Sequence, residues 1–285
     1  MENIIKAAEE VARERIRGAT WSSEAMARAI IKNEKGLSCE ELESLSNTIT
    51  KVNPIMGSLY NLSLVLRKTC SSGKDLAWGA KRFIEYIKFA KKNIIDHAQQ
   101  LFRGRKVTIF TISNSSNVFE IIKSYKGFIN RVNVAESLPG GEGIYLAKEA
   151  RRMGVEAKVF PDSATSAGIE ESDIILIGAD NITIDGCVFN KVGSKNLAII
   201  AGYYGKPMVA VFEPFKINPN MRCGEYIPFT RNYRIEGYGE LQYNVFDELP
   251  SNLIDSILSI NGMSNPSQSD LRILHNSFMS WFSSI

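Results

Sequence analysis

The chain has 285 residues, 44% hydrophobic and 23% charged, a globular composition long enough for one large or two modest domains around a real core. A formal net charge of +3 is too slight for a nucleic-acid binder, which needs a clustered basic patch, and no apolar run approaches a membrane span. Four scattered cysteines (Cys39, Cys70, Cys187, Cys223) without a CxxC read as reduced thiols, and two isolated histidines, His97 and His275, leave little material for a histidine metal site or a Ser-His-Asp triad. The start, Met1-Glu2-Asn3-Ile4, lacks a signal-peptide pattern, so a cytoplasmic protein with no metal and no cofactor is expected.

Up to about residue 103 the pattern is helical. Ile4, Ala7, Ala8, Val11 and Ala12 recur at three-to-four spacing and run on to Ile16. A second helix is expected over 39–49, and a third after Pro54, which suits a helix start. The clearest stripe lies within 75–102, where Phe83, Ile84, Ile87, Ala90, Ile94, Ile95, Ala98, Leu101 and Phe102 share one face. The lysines of that helix fall on its other faces and read as solvated.

Residues 103–106 break this period. β-Branched runs follow at 107–112, 131–135, 156–160, 173–177 and 208–212, separated mostly by helical stretches at 118–125, 142–153 and 194–204, with a further helical stretch at 252–260. Continuous apolar strands alternating with helices predict a parallel sheet covered on both faces. The division expected is a helical domain over 1–103 and an α/β domain over 104–285. Ligands of such sheets bind beyond the carboxyl ends of the strands. The clusters to inspect are therefore 113–116, 136–143, 162–164 and the segment that begins with Gly178-Ala179-Asp180.

The most informative stretch is Ile177-Gly178-Ala179-Asp180-Asn181-Ile182, then Asp185-Gly186, then Asn190-Lys191-Val192-Gly193-Ser194. It resembles the signature of the translation initiation factor 2B α/β/δ-subunit family, a superfamily shared with the methylthioribose-1-phosphate and ribose-1,5-bisphosphate isomerases. Other blocks of that family stand in order: Ile16-Arg17-Gly18-Ala19, residues 54–62, Glu136-Ser137-Leu138-Pro139 with Gly143, Asp162-Ser163-Ala164, and Phe246-Asp247-Glu248-Leu249-Pro250. The resemblance covers nearly the whole chain. It implies a helical N-terminal domain, a Rossmann-like α/β domain, and a homodimer or higher oligomer. It also implies ligand contacts from Arg17, Gly18, Ala19, Asn114, Asn190 and Lys191, with Asp180 as an acid/base group. Arg17 and Lys191 are apt counter-charges for a phosphate. Read alone, Arg17 fits a surface ion pair and Asp180 a helix or turn cap.

The chain departs from the isomerases where their chemistry is most demanding. Their Thr-His-Cys-Asn reads Thr111-Ile112-Ser113-Asn114, so Ser113 stands at the cysteine position. A serine hydroxyl supplies no acidic thiol near neutrality. Two arginines of the family pattern are also replaced, at Leu138 and at Asn53 in Asn53-Pro54-Ile55. The expectation is a regulatory factor 2B-like protein with a retained pocket for a phosphorylated sugar or nucleotide, and an initiation factor 2 subunit as a candidate partner. The alternative is an aldose-ketose isomerase acting on a phosphorylated ribose through Asp180.

At the end of the chain, after the polar stretch 265–269, Asp270 suits the cap of a short helix with Leu271, Leu274, Phe278, Trp281 and Phe282 on one face. So large an apolar face must be covered, either by the helix's own domain or by a partner chain. Dimerisation is expected mainly through the C-terminal domain.

Overall fold

The computed structural model describes residues 2–33, 37–225 and 228–283. Five helices come first: α1 (Glu2–Arg13), α2 (Ala19–Lys32), α3 (Leu42–Val52), α4 (Gly57–Ser71) and α5 (Leu76–His97). Helix α5 and the 3-10 turn Ala98–Leu101 after it bury the stripe read from sequence except for half-buried Ile95, and the Asp75 side chain caps α5 by accepting from the Trp78 N–H at 2.6 Å. Helix α2 escaped the sequence reading because much of its buried face is small or polar (Ala19, Ser22, Ser23, Ala27, Ala29), which mutes the apolar period.

The chain then alternates: β1 (Val107–Thr111), α6 (Ser116–Ser124), β2 (Ile129–Ala135), α7 (Glu142–Arg152), β3 (Ala157–Phe160), α8 (Thr165–Glu170) and β4 (Ile174–Gly178). A short hairpin, β5 (Asn181–Thr183) and β6 (Val188–Lys191), leads to α9 (Ser194–Tyr203), β7 (Met208–Val211) and β8 (Ile217–Asn218). An exposed ribbon, β9 (Thr230–Ile235) and β10 (Gly239–Asn244), precedes β11 (Phe246–Leu249), β12 (Ser256–Ser259), β13 (Gly262–Ser264) and α10 (Gln268–Ser280).

The main sheet has seven strands in the order β13-β12-β7-β4-β1-β2-β3, parallel except for β13. Strands β4 and β7 are buried along their whole length, as a sheet covered on both faces requires. A second sheet, β11-β6-β5-β8, projects from the end of β4. The chain steps outward from β1 through β2 to β3, then returns to place β4 on the other side of β1. The crevice between the ends of β1 and β4 is thus the topological switch point, where open parallel sheets bind ligands.

Three expectations need correction. Residues 252–260 are not a helix: a 3-10 turn over Ser251–Leu253 leads into strand β12, which pairs in parallel with β7. Leu253, Ile254, Ile257 and Leu258 have helical spacing, but a vacant sheet edge beside β7 decided their state. The cysteines are not free thiols. Cys39 is bonded to Cys70 and Cys187 to Cys223, with Cα separations of 5.8 and 5.5 Å, and the cytoplasmic reading loses the support it drew from them. Finally, Ser267 rather than Asp270 caps α10, accepting from the Asp270 N–H at 3.1 Å.

Helix α10 is covered within the chain, by the helical segment and by the turn that follows β7. It lies on α5, where Phe278 and Tyr86 have ring centroids 4.9 Å apart and Trp281 stacks on Phe89 at 4.9 Å. Phe215 joins the same cluster, and Lys68 Nζ donates to the Met279 carbonyl at 2.9 Å, tying down the helix end.

Candidate functional site

The residues after β1 and β4 meet in one recess of about 40 Å³, lined by Gly18, Ala19, Ser113, Asn114, Asp180 and Asn190 together with Lys216. A second recess of about 60 Å³ adjoins it through Gly18, Ser113 and Asp180, and adds Arg17, Glu142, Lys191 and Arg231. Both open beside a cleft of about 470 Å³ walled by Trp21, Lys88, Phe119 and Tyr145, which by itself has the size of a small-molecule site. Each residue to which the resemblance assigns a ligand or acid/base role, and Ser113 with them, therefore lines one of these spaces.

Backbone geometry builds the floor. Ser113 has φ of 66° and Ser137 has φ of 65°, two left-handed serines linked by a hydrogen bond from the Ser113 N–H to Ser137 Oγ at 2.8 Å. The Asp162 carboxylate holds the loop from outside, accepting from the N–H groups of Ser137 and Leu138 at 2.9 and 2.7 Å. Gly178 lets strand β4 approach the Ser115 side chain more closely than any Cβ would allow. Ser115 itself caps α6, so that helix opens its N-terminus toward the recess.

Asp180 is half-buried beneath α2. Its Oδ1 accepts from the Ala19 N–H at 3.2 Å, which makes it a cap supplied from 161 positions away, where Gly18 offers no capping side chain. Burial pushes the Asp180 carboxyl above its ordinary value, against the opposing pull of Lys216, the Ala19 N–H and Lys191. Asp180 thus has the character of an acid that holds its proton more tightly than an exposed carboxyl.

The two lysines beside it are already paired. Lys191 Nζ lies 2.7 Å from Glu142 Oε1, and Lys216 Nζ lies 2.9 Å from Glu213 Oε2, with all four side chains almost out of water. Burial alone would raise Glu213, but Lys216 and its hydrogen bonds hold the carboxyl below the usual value. Thr20 Oγ1 donates to the same carboxylate at 3.0 Å. Asn190 Nδ2 donates to Ser194 Oγ at 2.8 Å, which fixes the amide at the start of α9.

Arg17 forms the surface ion pair that its sequence context alone suggested, with Glu14 as its partner. Its Nε donates to Glu14 Oε2 at 2.7 Å, and its guanidinium lies 3.8 Å from the Trp21 ring centroid. Glu14 also accepts from the N–H groups of Arg15, Ile16 and Arg17. Burial pushes the Glu14 carboxyl up, but these N–H groups and the Arg17 side chain hold it below the usual value. Arg17 sits in the bend between α1 and α2, not on a helix that runs through Ile16. At the replaced arginine positions, Leu138 is exposed, and Asn53 is buried with Oδ1 accepting from the Ile55 N–H at 3.2 Å.

Sequence reading missed Lys216, Thr20 and Arg231 as recess residues and Glu213 as a cleft residue. The Arg231 guanidinium donates to the carbonyls of Ala12 and Glu14 at 3.2 Å each, closing the end of α1. Burial, with Arg15 nearby, lowers its pKa from the ordinary value. None of these four belongs to a block that the sequence singled out.

The family model of the initiation factor 2 subunit family (IF-2B) matches residues 7–266. A candidate translation initiation factor eIF-2B subunit 2-like protein of Pyrococcus horikoshii is 32% identical, over 93% of this chain and 97% of its own. The crystal structure of the P. horikoshii translation initiation factor eIF-2B superposes with a TM-score of 0.86 at 30% identity, covering 94% of this chain and 99% of that one. The ribose 1,5-bisphosphate isomerase of Archaeoglobus fulgidus is 28% identical, over 93% of this chain and 91% of its own. Among the described residues no helix is long and apolar enough to cross a membrane. With a match running from residue 7 to residue 266 and a fold shared throughout, the chain belongs to the initiation factor 2 subunit family.

Proposed function

We propose that this protein is a non-enzymatic, oligomeric, initiation factor 2B-like member of its family that binds a phosphorylated sugar or nucleotide where the two recesses meet the cleft. The observation that carries this reading is the side chain at position 113. Ser113 shares a recess with Asp180, and among the described residues no cysteine or histidine lines either recess. Aldose-ketose isomerisation needs a donor and an acceptor at adjacent carbons. Asp180 can serve as one, but a hydroxyl without an activating base is a poor second. Turnover of a panel of pentose 1-phosphates and 1,5-bisphosphates is expected to be absent. A kcat of roughly 1 per second or more would overturn the reading.

Ligand binding draws support from the α6 N-terminus and from Arg17, whose exposed guanidinium can turn from Glu14 to a phosphate. Lys191 and Lys216 would act through buried pairs rather than as free cations. The cleft walls come from the helical segment 1–103 and the α/β segment 104–285, which act as two units in this proposal. Calorimetry with ribose 5-phosphate and with a nucleoside monophosphate tests it. Weaker binding to Arg17→Ala and Lys191→Ala is expected, and equal affinity would place the pocket elsewhere.

A second reading, an isomerase acting on a phosphorylated ribose, is favoured by the raised Asp180 carboxyl and by the 28% identity to a ribose 1,5-bisphosphate isomerase. If turnover is found, Asp180→Asn should abolish it. Oligomerisation, with an initiation factor 2 subunit as a further partner, draws support from a related fold, 16% identical with a TM-score of 0.71, solved as a tetrameric eIF2B complex. Ile199 and Tyr203 on α9 are exposed and suit a covered face. Light scattering should show a dimer or larger species at micromolar concentration, and a monomer would refute it.

A further inference from the structure

The turn that joins β5 to β6 lies outside the recess and has no part in the proposed binding. Gly186 takes φ of 100°, its N–H donates to the Thr183 carbonyl at 3.0 Å, and the Cys187 N–H donates to Thr183 Oγ1 at 2.8 Å. The turn thereby presents the buried Cys187 side chain to the loop before β9. Asp185 accepts from the Cys223 N–H at 3.1 and 3.2 Å, holding that loop down. From β11, Glu248 Oε1 accepts from the Gly224 N–H at 2.6 Å. Three separate elements thus converge, and one ligand atom from each of Cys187, Cys223 and Glu248 lies within 4.8 Å of the others.

We propose that, once reduced, Cys187, Cys223 and Glu248 form a binding site for a thiophilic divalent cation of the zinc class. A dithiol reductant supplies two electrons and two protons. The sulfur–sulfur bond breaks, two thiols form, and the reductant becomes a disulfide. Metal binding displaces the two thiol protons and leaves two thiolates and one carboxylate around the ion, with a fourth position for water. Thiolate donors select zinc-like ions over magnesium or calcium, which prefer oxygen alone. The Gly224 N–H holds the Glu248 carboxylate as outer partners do in built metal sites, and the Thr183 hydroxyl lies 3.7 Å from Cys223 Sγ. Cys223 is tied to the β5–β6 turn in either state, by the disulfide when oxidised and by the ion when reduced.

The test uses full-length protein reduced with a dithiol under nitrogen, counted for thiols, desalted and titrated with Co²⁺. One Co²⁺ per chain is expected, with a sulfur-to-cobalt charge-transfer band that Zn²⁺ abolishes, and no such band from the disulfide form. Glu248→Gln should weaken binding at least about tenfold, since even changes to outer partners have effects of that size. A Cys39→Ser/Cys70→Ser variant should bind as the native chain does. The proposal is overturned if Cys187 and Cys223 release no thiols while the fold stays native, or if the reduced protein takes up no stoichiometric Co²⁺. Unchanged affinity in Cys223→Ser or in Glu248→Gln would also overturn it.

Discussion

The recess at the ends of β1 and β4 and the seam between α5 and α10 are held by opposite means. Around the recess, two buried ion pairs, Lys191–Glu142 and Lys216–Glu213, stand beside the Asp180 carboxyl. Along the seam, Phe83, Tyr86, Phe215, Phe278 and Phe282 pack ring against ring. Desolvation largely cancels the Coulomb gain of a buried ion pair, whereas aromatic burial adds stability outright. The terminal helix therefore fastens the end of the chain to the helical layer, and the recess is left free to hold charge.

The largest effect should come from breaking the seam. Phe278 is fully buried among four aromatic rings, so Phe278→Ala should lower unfolding stability by about 3–5 kcal/mol in a urea titration. A loss below about 1 kcal/mol would show that α10 is not what fastens the chain end. Breaking the recess differs in kind. Lys191→Ala strands Glu142 without its partner and should cost about 3 kcal/mol, while Lys191→Met with Glu142→Leu should recover most of it. Equal losses in the single and double variants would mean that shape, not charge, matters there.

A smaller effect sits at the seam's buried histidine. His275 Nε2 lies 2.9 Å from Asn61 Oδ1, and because Asn61 Nδ2 donates to the carbonyls of Gly57, Phe215 and Ile217, Nε2 carries the donated proton. Burial lowers the His275 pKa to about 4, so the folded chain favours the neutral ring. Stability is therefore full above the unfolded value near 6.5 and falls as pH drops toward about 4. The loss should reach about 2 kcal/mol between pH ~8 and ~5, and His275→Gln should flatten that segment of the pH curve. The smallest effect belongs to the recess again. Asp180→Asn keeps an acceptor for the Ala19 N–H and removes a carboxyl that burial already disfavours as an anion, so it should shift stability by less than about 1 kcal/mol. A larger loss would show that Asp180 stands ionised in the fold.

Much of the site was legible because strand ends announce themselves. The buried run before Gly178-Ala179-Asp180 and the polar cluster from Ser113 to Ser116 each follow a strand, and the switch point brings them together. Glu142 lay within a cluster marked for inspection, but its pairing with Lys191, 49 positions away, leaves no local trace. Lys216 and Glu213 follow β7 without glycine or serine punctuation, so nothing nearby marks them. The cysteine reading failed for the same reason: separations of 31 and 36 residues say nothing about Cα atoms brought within 6 Å or so of each other.

Local periodicity and punctuation determined the alternation of strands and helices, the helical first third, and the polar strand ends, because these depend on residues within a turn or two of one another. Which groups are paired, buried or left exposed was decided only when distant segments met. A cation and a glutamate gave Arg17 an exposed guanidinium paired with Glu14 but gave Lys191 a buried pair with Glu142, and strand β12 formed where helical spacing pointed elsewhere. Desolvation, ion pairing and the filling of a sheet edge act through space, and the chain order does not record those distances.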